Sequence, residues 1–275
     1  MKLALHLCVY KRHDLEKIVI DYYKGLQKKY NFDIIVGGSE GAKSRAAAEG
    51  CIYYEIPNRP ISDKHNKLLK HCKDYDGVIA IGSDDLIDEK TFKHYFKRDP
   101  ALNRCYSFND VYFYRTSDNK LNYYKGGICG AGRFFTKACL DRMNYEIWEN
   151  GRDTGIDRSG YMRMIRGGVI LKNTTLPEND FFIVDVKHTV NISSHSIVDA
   201  GDKVNLNKFY KRFPKETIDR IKGLSETVNN PVEYEDNEMV DFIGNGSSNH
   251  LKNGCYTMEY HQAKVLKDKG YGIIL

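Results

Sequence analysis

The segment Asp76-Gly77-Val78-Ile79-Ala80-Ile81-Gly82-Ser83-Asp84-Asp85-Leu86-Ile87 sets a buried strand directly before an acidic turn. Val78 to Ile81 is a short apolar run rich in β-branched residues, bounded by Gly77 and Gly82, which is the pattern of a strand covered on both faces. Ser83, Asp84 and Asp85 follow its carboxyl end. Adjacent carboxylates repel each other, and burial raises the cost of their charge. A hard divalent cation relieves both, because it takes carboxylate oxygens as ligands. In open α/β sheets the strand ends are also where ligands bind. The segment therefore reads as a metal and phosphate site at a sheet edge. The plainer alternative is an Asp-rich turn leading into a helix at Asp88-Glu89, where acids suit the helix dipole. Two acids alone favour the turn, so the flanking sequence has to decide.

Upstream, strands and helices alternate. Leu3 to Val9 reads as a strand and Tyr10-Lys11-Arg12 as the loop after it. Asp14 is placed to cap a helix carrying Leu15, Ile18, Val19, Tyr22, Tyr23 and Leu26 at helical spacing. Phe32 to Val36 and Cys51 to Ile56 are further strands, with a short Ala-rich helix from Lys43 to Gly50 between them. Ser62 is placed to cap a helix through Cys72. This alternation predicts a sheet of parallel strands covered by helices. Neither the P-loop nor the G-x-G-x-x-G fingerprint is present.

Downstream, Glu89 to Phe96 reads as a helix and Arg104 to Tyr114 as a strand, with Leu121 to Lys125 as its hairpin partner. A glycine-rich loop from Gly126 to Gly132 precedes a helix from Thr136 to Met143. The polar loop Trp148 to Asp157 leads to a helix from Arg158 to Arg166. Val169 to Leu171 and Phe182 to Val186 are short strands. Residues 205–236 are charged and interrupted by Pro214 and Pro231, as in a connector. Beyond it, Met239 to Ile243 and Cys255 to Glu259 read as strands and His261 to Lys269 as a helix. The expected organisation is a main domain over 1–204, a helical connector over 205–236 and a small β/α module over 237–275.

A chain of 275 residues can bury a sizeable core. The net charge of +5 suits an anionic ligand without being a nucleic-acid signature. The seven cysteines are odd in number and form no C-x-x-C pair, so they read as free thiols in a reducing, cytoplasmic compartment. No apolar run is long enough to span a bilayer, and the first strand is broken by His6 without a cleavage site.

Several segments in order carry a resemblance: Val9-Tyr10-Lys11-Arg12, Asn58-Arg59-Pro60-Ile61-Ser62-Asp63-Lys64-His65-Asn66, and Gly82 to Ile87. Gly130-Ala131-Gly132-Arg133-Phe134, Asn150 to Asp157, and Val184-Asp185-Val186-Lys187 with Asn191-Ile192 continue it. Over roughly residues 1–200 the set resembles the GT-A glycosyltransferases of the family-2 type, particularly small bacteriophage-encoded ones, which would act in the host cytoplasm. The resemblance implies an α/β fold: a Rossmann-like mixed sheet with flanking helices, binding a nucleotide-diphosphate sugar with Mn2+ or Mg2+.

Carried onto this sequence, it implies that Asp85 holds the metal and Asp84 meets the ribose or assists. Ser83 stands where the D-x-D pattern has its first acid. Tyr10 and Arg12 would line the nucleotide; Asp63, Lys64 and Asn66 would face ribose or diphosphate. For Lys64 alone, a solvated helix lysine is the simpler reading. Lys187 would counter the diphosphate, and His188 or His195 would reach the metal. Asp157 is the expected base of an inverting transfer, with Asp153 as its competitor and a helix-capping role as the alternative. The acceptor and the oligomeric state stay open. DNA is one candidate acceptor, whose phosphates Lys203, Lys208, Lys211, Arg212 and Lys215 could meet, although a merely solvated charged connector is the simpler reading of that cluster. The competing readings are a sugar nucleotidyltransferase, and a non-catalytic binding or virion protein that keeps the fold.

Overall fold

The computed structural model describes residues 1–125, 127, 129–188, 199 and 201–224, together with the strands at 239–244, 254–259 and 272–274. Its first half runs β1 (Leu3–Cys8), α1 (His13–Gln27), β2 (Phe32–Gly38), α2 (Ala42–Ala47), β3 (Ile52–Glu55), α3 (Ile61–Leu69) and β4 (Gly77–Ile81). Then come β5 (Asp85–Ile87), α4 (Glu89–Tyr95), β6 (Arg104–Phe108), β7 (Asp110–Arg115), β8 (Lys120–Lys125), β9 (Arg133–Thr136) and α5 (Lys137–Arg142). α6 (Ile156–Arg166), β10 (Ile170–Thr174), β11 (Ile183–Lys187), β12 (Asp202–Lys203), α7 (Leu206–Tyr210) and α8 (Lys215–Gly223) follow. β13 (Met239–Gly244), β14 (Gly254–Glu259) and β15 (Gly272–Ile274) pair antiparallel in a sheet of their own.

The large sheet has the order β10-β6-β9-β4-β1-β2-β3. β1 pairs in parallel with β2 and β4, while β9 runs antiparallel between β4 and β6. It is a mixed sheet with flanking helices, as the resemblance implies. A second sheet, β12-β8-β7-β11-β5, stands beside it. The chain passes from β4 in the first sheet to β5 in the second through Gly82-Ser83-Asp84 alone. The acidic turn is therefore the joint between the sheets.

Period-two alternation along β1 divides two cores. Leu3, Leu5 and Leu7 join α1, with Leu15, Ile18, Val19, Tyr22, Tyr23 and Leu26 buried at the expected spacing. Ala4 and Cys8 face the opposite core, built on Leu68, Leu69, Phe135 and Trp148. β5 is an edge strand, and α1 satisfies its open backbone: Tyr22 Oη donates to Ile87 O at 2.7 Å, and Tyr23 Oη accepts from Ile87 N at 3.0 Å.

Several elements depart from expectation. The run from Arg104 to Tyr114 is not one strand; it breaks at Asn109 into β6 and β7, which lie in different sheets. The break follows from Asp110, whose buried carboxylate accepts the Leu176 N–H at 3.0 Å. Arg133 to Thr136 forms β9, a strand in the interval between the glycine-rich loop and the expected helix, which itself starts at Lys137 rather than Thr136. Asp14 does not cap α1, whose N-cap is Arg12, and Ser62 does not cap α3, whose N-cap is Pro60. Ser62 Oγ instead accepts from Arg152 N at 2.9 Å. The first part of the expected connector packs into the main core: Phe209, Phe213, Ile218, Ile221 and Leu224 are all buried there. Residues 225–238 and the expected helix at 261–269 lie outside the described residues. No helix among the described residues is long and apolar enough to cross a membrane.

Candidate functional site

The antiparallel pairing of β5 with β11 puts Asp85 directly opposite Asp185. Asp84 precedes Asp85, and its carbonyl accepts the Val186 N–H at 2.8 Å. Carboxylate oxygens of Asp84, Asp85 and Asp185 all lie within 4.8 Å of one another. Two charges that close repel by about 3 kcal/mol at an effective dielectric of about 20, and like charges directly opposite destabilise a strand pair.

The chain offsets this only in part. Arg12 Nη1 donates to Asp84 Oδ2 at 2.5 Å, and Arg12 Nη2 to Ser83 Oγ at 2.7 Å. Lys187 Nζ, itself buried, donates to Asp185 Oδ2 at 2.7 Å. Asp85 Oδ2 turns back to accept the Gly82 N–H at 2.6 Å. Gly82 has no room for a side chain here, since a Cβ would stand 2.7 Å from Asp84 Oδ1.

The titration of the three acids reflects this imbalance. Burial raises Asp84, but Arg12 and Lys187 outweigh it and hold the carboxyl below its ordinary value. Burial, then Asp185 and Asp84, push Asp85 well above the usual carboxylate range. Asp185 is pushed up to about 6 by burial, against the pull of Lys187. Asp185 Oδ1 is buried without a hydrogen-bond partner among the described residues. Three convergent carboxylates and one orphaned oxygen fit a hard divalent cation such as Mn2+ or Mg2+. Asp84, Asp85 and Asp185 are the residues that would hold it. The sequence reading placed Asp185 in a motif without assigning it a role; a lone acid in an otherwise apolar strand was the available signal.

Lys64 sits at the neighbouring strand ends. It is 2% exposed, and Nζ donates to Val9 O at 2.8 Å, Asn58 Oδ1 at 3.1 Å and Ser39 Oγ at 3.2 Å. It ties together the loops after β1, β2 and β3, so the solvated-lysine reading does not hold. Burial lowers its pKa. Tyr10 stands nearby, its ring 5.9 Å from Lys64 Nζ.

Asp63 and Asn66 face the 148–152 loop. Asn66 Nδ2 donates to Trp148 O at 2.8 Å and Asn66 Oδ1 accepts from Trp148 N at 3.1 Å, as a paired strand residue would. Asp63 Oδ1 accepts the Gly151 N–H at 2.8 Å. His188 Nδ1 lies 3.1 Å from Thr116 Oγ1 and is not in the acidic group. His195, Asn191 and Ile192 lie outside the described residues, as do Gly126 and Ile128 of the glycine loop.

The two candidate bases differ in circumstance. Asp153 Oδ1 accepts the Ile61 N–H at 2.9 Å and Oδ2 pairs with Arg59 at 3.2 Å, so it serves the start of α3. Asp157 lies in the first turn of α6, whose N-cap is Gly155, and its side chain is 48% exposed. Arg133, 1% exposed, fixes its surroundings: Nη2 donates to Asp157 O at 3.1 Å and Nε to Cys129 O at 3.0 Å, while Nη1 stands 3.5 Å from Asp157 Oδ1. A Cβ at Gly130 would overlap the Asp157 carboxylate. Cys129 is close enough to both Asp157 and Asp85 to feel their charge. After burial, Asp157 and then Asp85 push its thiol up.

No family model matches the chain, and no curated protein matches it. Among solved structures it is similar to a mannosyltransferase from Pyrobaculum calidifontis in complex with GDP-Man and Mn2+, at 14% identity and a TM-score of 0.47. That match covers 71% of this chain and 59% of the other, so the chain spans less than two thirds of that protein. Mannosyl-3-phosphoglycerate synthase from Rubrobacter xylanophilus is similar at 11% identity and a TM-score of 0.48, over 94% of this chain and 87% of the other. A CMP:2-keto-3-deoxy-manno-octonic acid synthetase complexed with CTP is similar at 11% identity and a TM-score of 0.43, over 73% and 96%.

Proposed function

We propose that the chain is a metal-dependent glycosyltransferase that moves a sugar from a nucleotide-diphosphate sugar to an acceptor hydroxyl. The observation that carries this reading is the convergence of Asp84, Asp85 and Asp185 at the joint of the two sheets, interleaved with Arg12 and Lys187. Carboxylates bind a hard cation, and the two fixed cations suit a diphosphate beside it. The bound cation would neutralise charge on the departing diphosphate. Arg12 and Lys187 add to that stabilisation from the protein side. Lys64 holds the loops that the nucleotide would meet.

The proposed transfer is inverting. Asp157 is the base that takes the acceptor proton, because it is partly open to solvent and held by Arg133, whereas Asp153 is engaged at α3. A thermal-shift screen of nucleoside diphosphates, each with and without Mn2+, tests the donor site through ligand linkage. Stabilisation by one nucleotide that needs Mn2+ is the expected result. Absence of any such stabilisation would remove the donor site and leave a protein that keeps the fold without the chemistry. Incubation with the matching nucleotide sugar then tests transfer, which releases the nucleoside diphosphate, and incubation with the nucleoside triphosphate and a sugar phosphate tests nucleotidyl transfer, which releases pyrophosphate.

A further inference from the structure

A second group of metal-ligating side chains stands apart from the acids. Donor atoms of His6, Cys8 and His65 all lie within 4.8 Å of one another. His6 and Cys8 are two residues apart on β1 and so share the face of Ala4, over which α3 supplies His65. His6 is fully buried; Cys8 and His65 are partly exposed.

The hydrogen bonds at this group are incomplete in an informative way. His6 Nε2 lies 3.1 Å from the His65 carbonyl oxygen. A carbonyl only accepts, so Nε2 carries the proton and Nδ1 keeps a bare lone pair. His6 Nδ1 and His65 Nδ1 are both buried and neither has a hydrogen-bond partner among the described residues. Buried polar atoms are nearly always satisfied. A metal-bound imidazole donates its other ring N–H to a carbonyl or carboxylate in just this manner. The plainer explanation is aromatic packing, since the His6 and His65 centroids are 5.1 Å apart and His65 lies 4.8 Å from Trp148. Stacking accounts for the ring faces but leaves the edge nitrogens bare.

We propose that His6, Cys8 and His65 bind a thiophilic d10 cation, Zn2+ or Cu+, at a site separate from the acidic one. Two imidazoles and a thiolate select soft or borderline cations, whereas Mn2+ and Mg2+ prefer oxygen. Donors around a tetrahedral zinc stand about 3.5 Å apart, so closure needs shifts of roughly 1 Å. On binding, the Cys8 S–H bond breaks, a sulfur–metal bond forms and the proton leaves to solvent. Burial pushes the Cys8 thiol up to about 12, and the neighbouring Lys64 charge works against that rise. The cation would pin α3 to β1 beside Lys64, which follows from chain adjacency.

The test uses the full chain, reduced and stripped of metal by a chelator. It is titrated with Co2+ as a spectroscopic substitute for Zn2+, and separately with Cu+ held in a chromophoric chelator. A thiolate-to-cobalt charge-transfer band that saturates at one equivalent, or Cu+ withdrawn at one equivalent, is expected. Either signal should vanish in Cys8→Ser and persist in Asp85→Asn, which disables only the acidic site. Bound Zn2+ should also shield Cys8 from alkylation, read by mass spectrometry. Neither signal in the wild-type chain, or an unchanged signal in folded Cys8→Ser, overturns the proposal. Should Cys8→Ser not fold, His65→Gln replaces it: affinity reduced at least about tenfold supports the site, and unchanged affinity overturns it.

Discussion

Asp85 and Asp185 stand opposite each other across the antiparallel pair of β5 and β11, a buried carboxylate in register with a partly buried one. Nothing in ordinary strand pairing favours this, although Lys187 Nζ donates to Asp185. The pair makes sense as a cation site kept under electrostatic strain. Replacing Asp85 should therefore have opposite effects on the free and the loaded chain. Asp85→Asn is expected to leave the metal-free melting temperature unchanged or raised, because a repulsion is removed, whereas Asp185→Asn would also strip the buried Lys187 of its partner and lower it. Either change should abolish most of the Mn2+-dependent stabilisation by nucleotide. Wild-type nucleotide affinity in a folded Asp85→Asn variant would end the metal assignment.

Lys64 offers a stability test. Its ammonium serves acceptors on the loops after β1, β2 and β3. Lys64→Met keeps the length of the stem and removes all of these bonds, leaving buried acceptors unpaired. Loss of about 2 kcal/mol or more is expected, since an unsatisfied buried polar group costs roughly 1–3 kcal/mol. Denaturant unfolding measures it. A surface lysine would change stability by less than about 0.5 kcal/mol.

What could be seen in the sequence follows from the range of the interactions. Val78 to Ile81 and its acids were legible because burial and charge sit side by side in the chain. The apolar face of α1 was legible from spacing alone. Asp185 was not assigned, because only sheet pairing brings it to Asp85. Lys64 read as exposed because its acceptors lie on three separate loops. The charges around Phe209, Phe213, Ile218 and Ile221 concealed a buried face, although Ile218 and Ile221 are at helical spacing. β9 was hidden by the glycines before it, and its neighbours in the sheet decide its conformation.

The packing of α7 and α8 sets where the chain can be cut. Phe209, Phe213, Ile221 and Leu224 are buried against the main core, and Arg212 Nη1 donates to the Asp88 carboxylate at 3.0 Å. A chain ending at residue 231 keeps these contacts and is expected to fold and to bind nucleotide as the full chain does. A chain ending at residue 204 loses these and Ile218, five buried apolar side chains, and is expected to be insoluble or partly unfolded. Equal stability of the two truncated chains by thermal melting would contradict this division.

Burial also gives a pH dependence. His6 is held neutral, its pKa lowered to about 4 by burial. Once unfolded it binds a proton near its ordinary value of about 6.5. Between these values the unfolded chain carries the extra proton, so stability falls as pH drops from about 6.5 to about 4 and this contribution is then flat below. From pH 7 to pH 5 the loss due to His6 is expected to be about 2 kcal/mol, read as the difference in pH dependence between the chelator-treated wild-type chain and His6→Phe. The same change from pH 7 to pH 5 in the wild-type chain and in folded His6→Phe would show that His6 does not titrate this way.

Asp157 carries the last prediction. Its backbone carbonyl is fixed by Arg133, its carboxylate lies over Gly130, and its side chain keeps nearly half of its solvent exposure. Packing thus holds the group while an acceptor can still reach it. Donor binding needs no proton transfer, whereas attack by a hydroxyl does. Asp157→Asn is expected to keep nucleotide-sugar affinity within a few-fold and to lower transfer by about 10² or more, the usual scale for a general base. A helix role makes a different forecast. Gly155 holds the N-cap and Asp157 lies in the first turn, where a carboxylate contributes only about 0.3–1 kcal/mol through the dipole. Asparagine would then lower the melting temperature slightly and leave turnover alone. Donor affinity, melting temperature and transfer rate on the same variant separate the two. Near-normal transfer would leave Asp157 as a first-turn acid and turn attention to Asp153, whose replacement should then reduce transfer beyond what its role at the start of α3 explains.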